Sequence, residues 1–334
     1  MFQSGDAGCR DGHSASPGGP QSCVKACPVP FFYMIRLRFS VELNYDVAPP
    51  GCDVIFNIHA AHTAYQRVVT EMMEVSQFLL PQIYTDAASG NRYMRIKTEP
   101  GRLRLRYSAT VEVRHHMAAA NTIREVPVSL LPTEALIYLY PSRYCQSDLL
   151  YAMAMREFGH LPAGYSRVQA ICKWVTAHVQ FKSATSNAST SALDTLREKV
   201  GVCRDFAHLM IALCRALNIP ARFATGIDYG ADPALGPSDF HAYVEVFLGN
   251  RWYLFDPSGT AIPMGLMRFG TGRDAADVSF ATIFGTVRAD PPKIQINAID
   301  DPAAGAMLPW RCIEALSTDD GTGMLVGTRL VPVG

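Results

Sequence analysis

The chain has 334 residues, enough for two domains that each bury a core. Its 30 Lys+Arg balance 30 Asp+Glu, so it lacks the bulk field used to bind nucleic acid or anionic lipid. With no sustained apolar run of about eighteen residues, a soluble globular protein is expected, with no nucleic-acid and no membrane partner. The 9 cysteines are odd in number and scattered. They form neither a compact metal-ligand pattern nor a disulfide framework, so no cofactor or metal is expected. Reduced thiols in a cytoplasm fit best.

Residues 1–33 are rich in Gly, Ser and Pro and lack the apolar centre of a secretory signal. They read as a disordered extension, or as an open reading frame begun upstream of Met34. From Met34 the pattern changes. Ile35, Leu37, Phe39, Val41, Leu43 and Tyr45 alternate with polar residues, as do Leu103, Leu105, Tyr107, Ala109, Val111 and Val113. Strict alternation marks half-buried strands. Further strands are expected at Val54–His59, Arg67–Val75 and Tyr93–Thr98, giving an antiparallel β-sandwich domain over 34–130. The arginines on its outer face read as a solvated stripe. His59 with His62, and His115 with His116, lack a further ligand.

Pro127, Pro132 and Pro141 punctuate the passage to a second domain, expected over 131–290. Ser147-Asp148 caps a helix running through Phe158. Another helix begins at Ser166 with Val168, Ile171, Cys172, Val175 and Val179 on one stripe. Ser183–Ser191 is a polar loop, either a connector or the border of a cleft, and a short helix follows through Lys199. Next comes GVCRDFAHLMIALCRALNIP, in which Phe206, Ala207, Met210, Ile211, Cys214 and Leu217 recur at helical spacing until Asn218. A strand at Ala221–Tyr229, a polar loop at Gly230–Asp239 and a hairpin complete helices packed on an antiparallel sheet, an α+β core. The remainder, 291–334, reads as an irregular tail with a short helix near Trp310–Leu316.

Cys203 opens the helix that follows Gly201-Val202. A thiol in the first turn feels the positive end of the helix dipole, which favours thiolate, the form that attacks a carbonyl carbon. Phe240–Leu248 and Arg251–Phe255 flank Gly249-Asn250, a good two-residue turn. Leu248 then faces Arg251, and Asp256 lies opposite Tyr243, on the same face as His241. The two are diagonal neighbours, roughly 7–8 Å apart at the backbone. A three-residue loop would instead put them on opposite faces. Cys203 as nucleophile, His241 as base and Asp256 as orienter make a Cys-His-Asp triad. Cys214 and Cys172 read as packing residues, and Cys145 reads as structural although it sits in a distinctive segment. Asp205 reads as a cap of the helix start or a partner of an arginine. His208 is an alternative base.

The order Cys203, His241, Asp256, with HAYVEVFL–GN–RWYLFDP, resembles the transglutaminase-like superfamily, most closely its bacterial papain-like cysteine hydrolase branch. PSRYCQSD at 141–148, GVCRDFAHL at 201–209 and GRDAADVSF at 272–280 resemble marks of a group with a β-rich N-terminal domain. The resemblance runs from about Met34 to Gly285. It implies a papain-like, transglutaminase-like core behind a β-sandwich, and a cysteine hydrolase cleaving an amide or peptide bond in a protein or peptide substrate. By the same analogy the Cys203 backbone N–H is one oxyanion donor. An amine acceptor would make the protein a transglutaminase instead, and an idle triad would leave a binding module.

Overall fold

The structure is a computed structural model that describes residues 34–231 and 238–320. The chain starts with β1 (Met34–Val47), β2 (Cys52–Phe56), β3 (Gln66–Val75), β4 (Gln82–Thr85), β5 (Arg92–Thr98), β6 (Gly101–Arg114) and β7 (His116–Ala118). Helices α1 (Thr133–Leu136), α2 (Tyr151–Phe158) and α3 (Tyr165–His178) follow, then β8 (Gln180–Phe181), α4 (Ala192–Glu198), β9 (Val200–Gly201) and α5 (Cys203–Ala216). Next are β10 (Ala221–Asp228), β11 (His241–Leu248), β12 (Arg251–Phe255) and β13 (Leu266–Gly272). The last strands are β14 (Ala281–Phe284), β15 (Val287–Ala289), β16 (Lys293–Ile299), β17 (Ala306–Met307) and β18 (Ala315–Asp320).

The alternation in β1 does what the sequence implies. Ile35, Leu37, Phe39, Val41, Leu43, Tyr45 and Val47 are all buried. Strand β6 pairs along the whole of β1, from Met34 opposite Arg114 to Val47 opposite Gly101. A second antiparallel sheet, β14-β2-β5-β4, contributes Val54, Phe56, Met94 and Ile96 to the same core, so the two sheets form the sandwich. Each such aliphatic or aromatic side chain contributes about 1.5–3 kcal/mol by leaving water. On the outer face Arg36 pairs with Glu112 and Asp301, and Arg102 with Asp46 and Asp290. With Arg67 also on Glu112 and Arg288 also on Asp46 the charges balance, and the face is solvated apart from Glu112, which is buried.

Helix α5 is the centre of the second core. The sequence suggests one apolar stripe, yet every residue from Asp205 to Ala216 is buried. The reason is tertiary: α2, α3 and α4 cover one side of α5, and β10 and β11 cover the other. The sheet behind it runs β13-β10-β11-β12-β18-β7.

The tail departs from the sequence-based reading. Residues 291–320 are not irregular: β16 pairs with β1 from Arg36–Ile299 to Glu42–Lys293, and β18 pairs with both β12 and β7. No helix forms near Trp310–Leu316; the chain enters β18 at Ala315. Nor do the boundaries at 130 and 290 separate two bodies, since β14 and β15 return to the sandwich sheets and β7 extends the helix-backed sheet. β14, β15 and β16 are held by partners more than 190 residues away, and β18 by β7 at a similar separation and by β12 nearer in the chain. Residues 34–231 and 238–320 belong to one compact unit. Among the described residues no helix is long and apolar enough to cross a membrane.

Candidate active site

The start of α5 is built around Asp205. Its Oδ2 accepts the Val202 N–H at 2.9 Å, and its Oδ1 accepts the Ser186 hydroxyl at 2.9 Å. Arg204 also pairs with it at 3.3 Å. Both readings of Asp205, as helix cap and as arginine partner, hold. Gly201 has to be glycine, because a Cβ there would lie 2.7 Å from the Asp205 Cβ. This locked turn presents Cys203 half-buried, its Sγ 3.9 Å from the Phe240 carbonyl oxygen.

The hairpin has the expected register. Leu248 pairs with Arg251 and Val244 with Phe255. Gly249 and Asn250 take φ values of 52° and 66°, as a two-residue turn of this hand requires. An alanine pays a steric penalty in that left-handed region. Asn250→Ala is therefore expected to destabilise the protein by about 1 kcal/mol in urea unfolding, and Asn250→Gly to cause no such loss.

His241 Nε2 lies 3.5 Å from Asp256 Oδ1. Asp256 is fixed in turn by the Ser258 N–H and hydroxyl on Oδ1 and by the Ala261 N–H on Oδ2. Burial alone would raise the Asp256 pKa, but His241, Ser258 and Ala261 outweigh it and hold the carboxyl below its ordinary value. For His241, burial opposes the charge. Asp228, Cys203 and Asp256 favour it more strongly, so the imidazole sits well above its usual pKa.

Sequence reasoning missed Asp228, the last residue of β10. Its Oδ2 is 3.5 Å from His241 Nδ1, and its Oδ1 accepts the Tyr243 hydroxyl at 2.6 Å. Burial pushes its carboxyl up to about 6, partly opposed by His241 and Tyr243. Gly226 pairs with His241, so strand alternation puts Asp228 on the face that carries His241. No local signal sets that register, because β10 and β11 are joined by a long loop. Residues 232–237 of the Gly230–Asp239 loop lie outside the described residues.

Cys203, His241 and Asp228 open into one cavity of about 920 Å³. Tyr144 lines it, as do Phe240 and Phe280, whose rings stack 4.4 Å apart. Ser183, Ala184, Ser186 and Ala188 also line it, so the polar loop borders a cleft. Arg204 donates to the Asn187 carbonyl at 2.6 Å, tying that loop to α5.

His208 does not serve as a base. It is fully buried, its Nε2 accepts the Ala275 N–H at 3.2 Å, and its ring stacks on Tyr144 at 4.9 Å. Burial, with Arg204 and Arg215 nearby, holds it well below its ordinary pKa. Cys145 is buried, and burial pushes its thiol up to about 12. Next to it, the Tyr144 N–H donates to Asp274 at 2.9 Å, while Arg215 donates to Tyr140, Ser142 and Arg273. The segments at 141–148, 201–209 and 272–280 thus meet around α5. Burial likewise raises Cys172 and Cys214, as expected of packing residues. Among the described residues, no three His, Cys, Asp or Glu side chains come together as a metal-binding group.

The family model of the transglutaminase-like superfamily matches residues 152–257, a span that holds Cys203, His241 and Asp256. The model of the bacterial transglutaminase N-terminal domain matches 35–134. A crystal structure from Cytophaga hutchinsonii, provisionally named a cysteine protease, is 36% identical with a TM-score of 0.78. The likeness covers 85% of this chain and 97% of that one. The uncharacterized protein ML0607 of Mycobacterium leprae is 31% identical over 146 residues, 42% of this chain and 52% of that protein. Rv2569c of Mycobacterium tuberculosis is 30% identical over 109 residues, 29% of this chain and 35% of that protein. The chain thus spans about half, or less, of these curated relatives' length. Two matching models and a relative alike over nearly its whole length agree: the chain belongs to the transglutaminase-like superfamily, its core joined to a bacterial transglutaminase N-terminal domain.

Proposed function

We propose that the protein is a cysteine hydrolase that cleaves an amide or peptide bond through an acyl-thioester on Cys203. One observation carries this reading: a half-buried thiol in the first turn of α5 shares a cavity with an imidazole that faces the Asp256 carboxylate. The name given to the Cytophaga hutchinsonii relative supports the same class. In the proposed cycle His241 takes the Cys203 proton, and the sulfur adds to the substrate carbonyl carbon. The imidazolium then gives its proton to the leaving amine as the C–N bond breaks, leaving a thioester. Water, deprotonated by His241, adds to the thioester, and release of the carboxylic acid returns the proton to sulfur. Asp256 holds the ring and offsets its charge while it is an imidazolium.

A second reading changes only the acceptor, from water to an amine, and the match to a bacterial transglutaminase N-terminal domain favours it. Acid-quenched mixtures with glutamine-containing peptides test both. Digestion and mass spectrometry should find the acyl group on the Cys203 peptide, with released ammonia and a glutamate product marking water as acceptor. Incorporation of an added primary amine would shift the assignment to acyl transfer. If no acyl-Cys203 species appears across peptide and protein amides, the proposal fails.

A further inference from the structure

Taking Cys203, His241 and Asp256 as the reacting set, we infer that Asp228 is a positioning residue for His241, a second carboxylate that grips the ring nitrogen opposite Asp256 and holds the ring as an imidazolium. The argument is geometric. A neutral imidazole has one N–H and one lone pair. Between two carboxylates it can donate to one but must turn its lone pair toward the other. An imidazolium donates from both nitrogens. Here Nδ1 is 3.5 Å from Asp228 and Nε2 is 3.5 Å from Asp256, ion-pair distances at the long limit of a hydrogen bond, so both flanking carboxylates favour the charged ring.

Asp228 is held for this task. The Tyr243 hydroxyl donates to its far oxygen at 2.6 Å, leaving the near oxygen for the ring. Gly226 leaves the position paired with His241 without a side chain, and a Cβ there would sit 2.1 Å from the Met267 carbonyl oxygen. The charged and titratable groups around the ring are Cys203 from α5, Asp228 from β10, Asp256 beyond β12 and Tyr243 on β11 itself. Asp228 and Asp256 favour the imidazolium, and the Cys203 sulfur favours it in the same sense as thiolate. The consequence has a definite sign. Removing Asp228 lowers the proton affinity of His241, so the imidazolium is lost at lower pH. Activity that needs His241 to protonate the leaving group then loses its alkaline limb earlier.

The test is a histidine titration that does not depend on turnover. Ring-labelled protein carrying Cys203→Ala is followed by NMR against pH, with His241→Gln identifying the resonance. Adding Asp228→Asn should lower the His241 midpoint by at least one pH unit, a tenfold loss of proton affinity. Thermal unfolding establishes that the variant folds. Should Asp228→Asn fail to fold, Tyr243→Phe substitutes for it. That change removes a hydrogen bond which, after His241 itself, favours the ionised form of Asp228, and it should move the midpoint the same way by a smaller amount. A midpoint unmoved in the folded variant would overturn the role of Asp228. Iodoacetamide alkylation of Cys203 in the wild type, with the half-buried Cys312 as control, separates this from the functional reading. If Cys203 reacts no faster than Cys312, a thiol of similar exposure, while the NMR midpoint still shifts, the hydrolase reading falls and the grip on His241 stands.

Discussion

Replacing Cys203 with alanine is expected to abolish turnover while leaving the fold in place. The thiolate is the only group in the proposed cycle that bonds to the acyl carbon. Its removal should cost at least on the order of 10³-fold in kcat, as loss of a nucleophile does elsewhere. The structural cost should be small, because Cys203 is half-buried and the turn that presents it is held by Asp205, Ser186 and Gly201. Steady-state hydrolysis of a responsive peptide amide, together with a thermal melt, checks both halves. Asp256→Ala should lose less, because the sulfur and imidazole remain. Full activity in Cys203→Ala would remove the catalytic assignment altogether.

The largest loss of stability is expected far from the thiol, at Glu245 on β11. This side chain is fully buried and accepts from Arg222 Nε at 2.7 Å and from Arg268 at 3.0 Å. Asp319 of β18 accepts from the same two arginines, and Arg222 also lies 4.1 Å over the Trp252 ring. Two cations and two anions balance, and the four residues join β10, β11, β13 and β18 across one face of the sheet. Glu245→Ala leaves one buried positive charge uncompensated, which typically costs about 3–5 kcal/mol. A fall in melting temperature of roughly 5–15 °C follows for a chain of this size. Calorimetry reads it directly, and a change below 1 °C would show that the cluster carries no net stability. Because β11 also carries His241, activity should fall together with stability.

Much of the site was legible in the sequence because its determinants are local. Gly249-Asn250 can form a tight left-handed turn, that turn sets the register of β11 on β12, and the register places His241 beside Asp256. The helix after Gly201-Val202 was legible too, since its spacing, its Asp205 cap and its Asn218 stop are contained within eighteen residues. Alternation in β1 and β6 announced a sandwich for the same reason: each strand records which of its faces meets apolar neighbours.

Other features depend on partners distant in the chain, and only the tertiary structure decided them. Residues 293–298 alternate polar and apolar, a strand signal that the expectation of an irregular tail passed over, but nothing in it says which strand it meets. β16 exists because β1 offers an open edge, and β18 because β12 and β7 do. The stripe on α5 underestimated its burial, since helices on one side and strands on the other cover it all round. Asp228 was invisible for the same kind of reason. Its place at the ring depends on pairing Gly226 with His241 across a long loop, and loop closure, unlike a two-residue turn, imposes no register. Short-range geometry put Cys203 at a helix start and His241 beside Asp256; long-range strand pairing decided that the imidazole sits between two carboxylates.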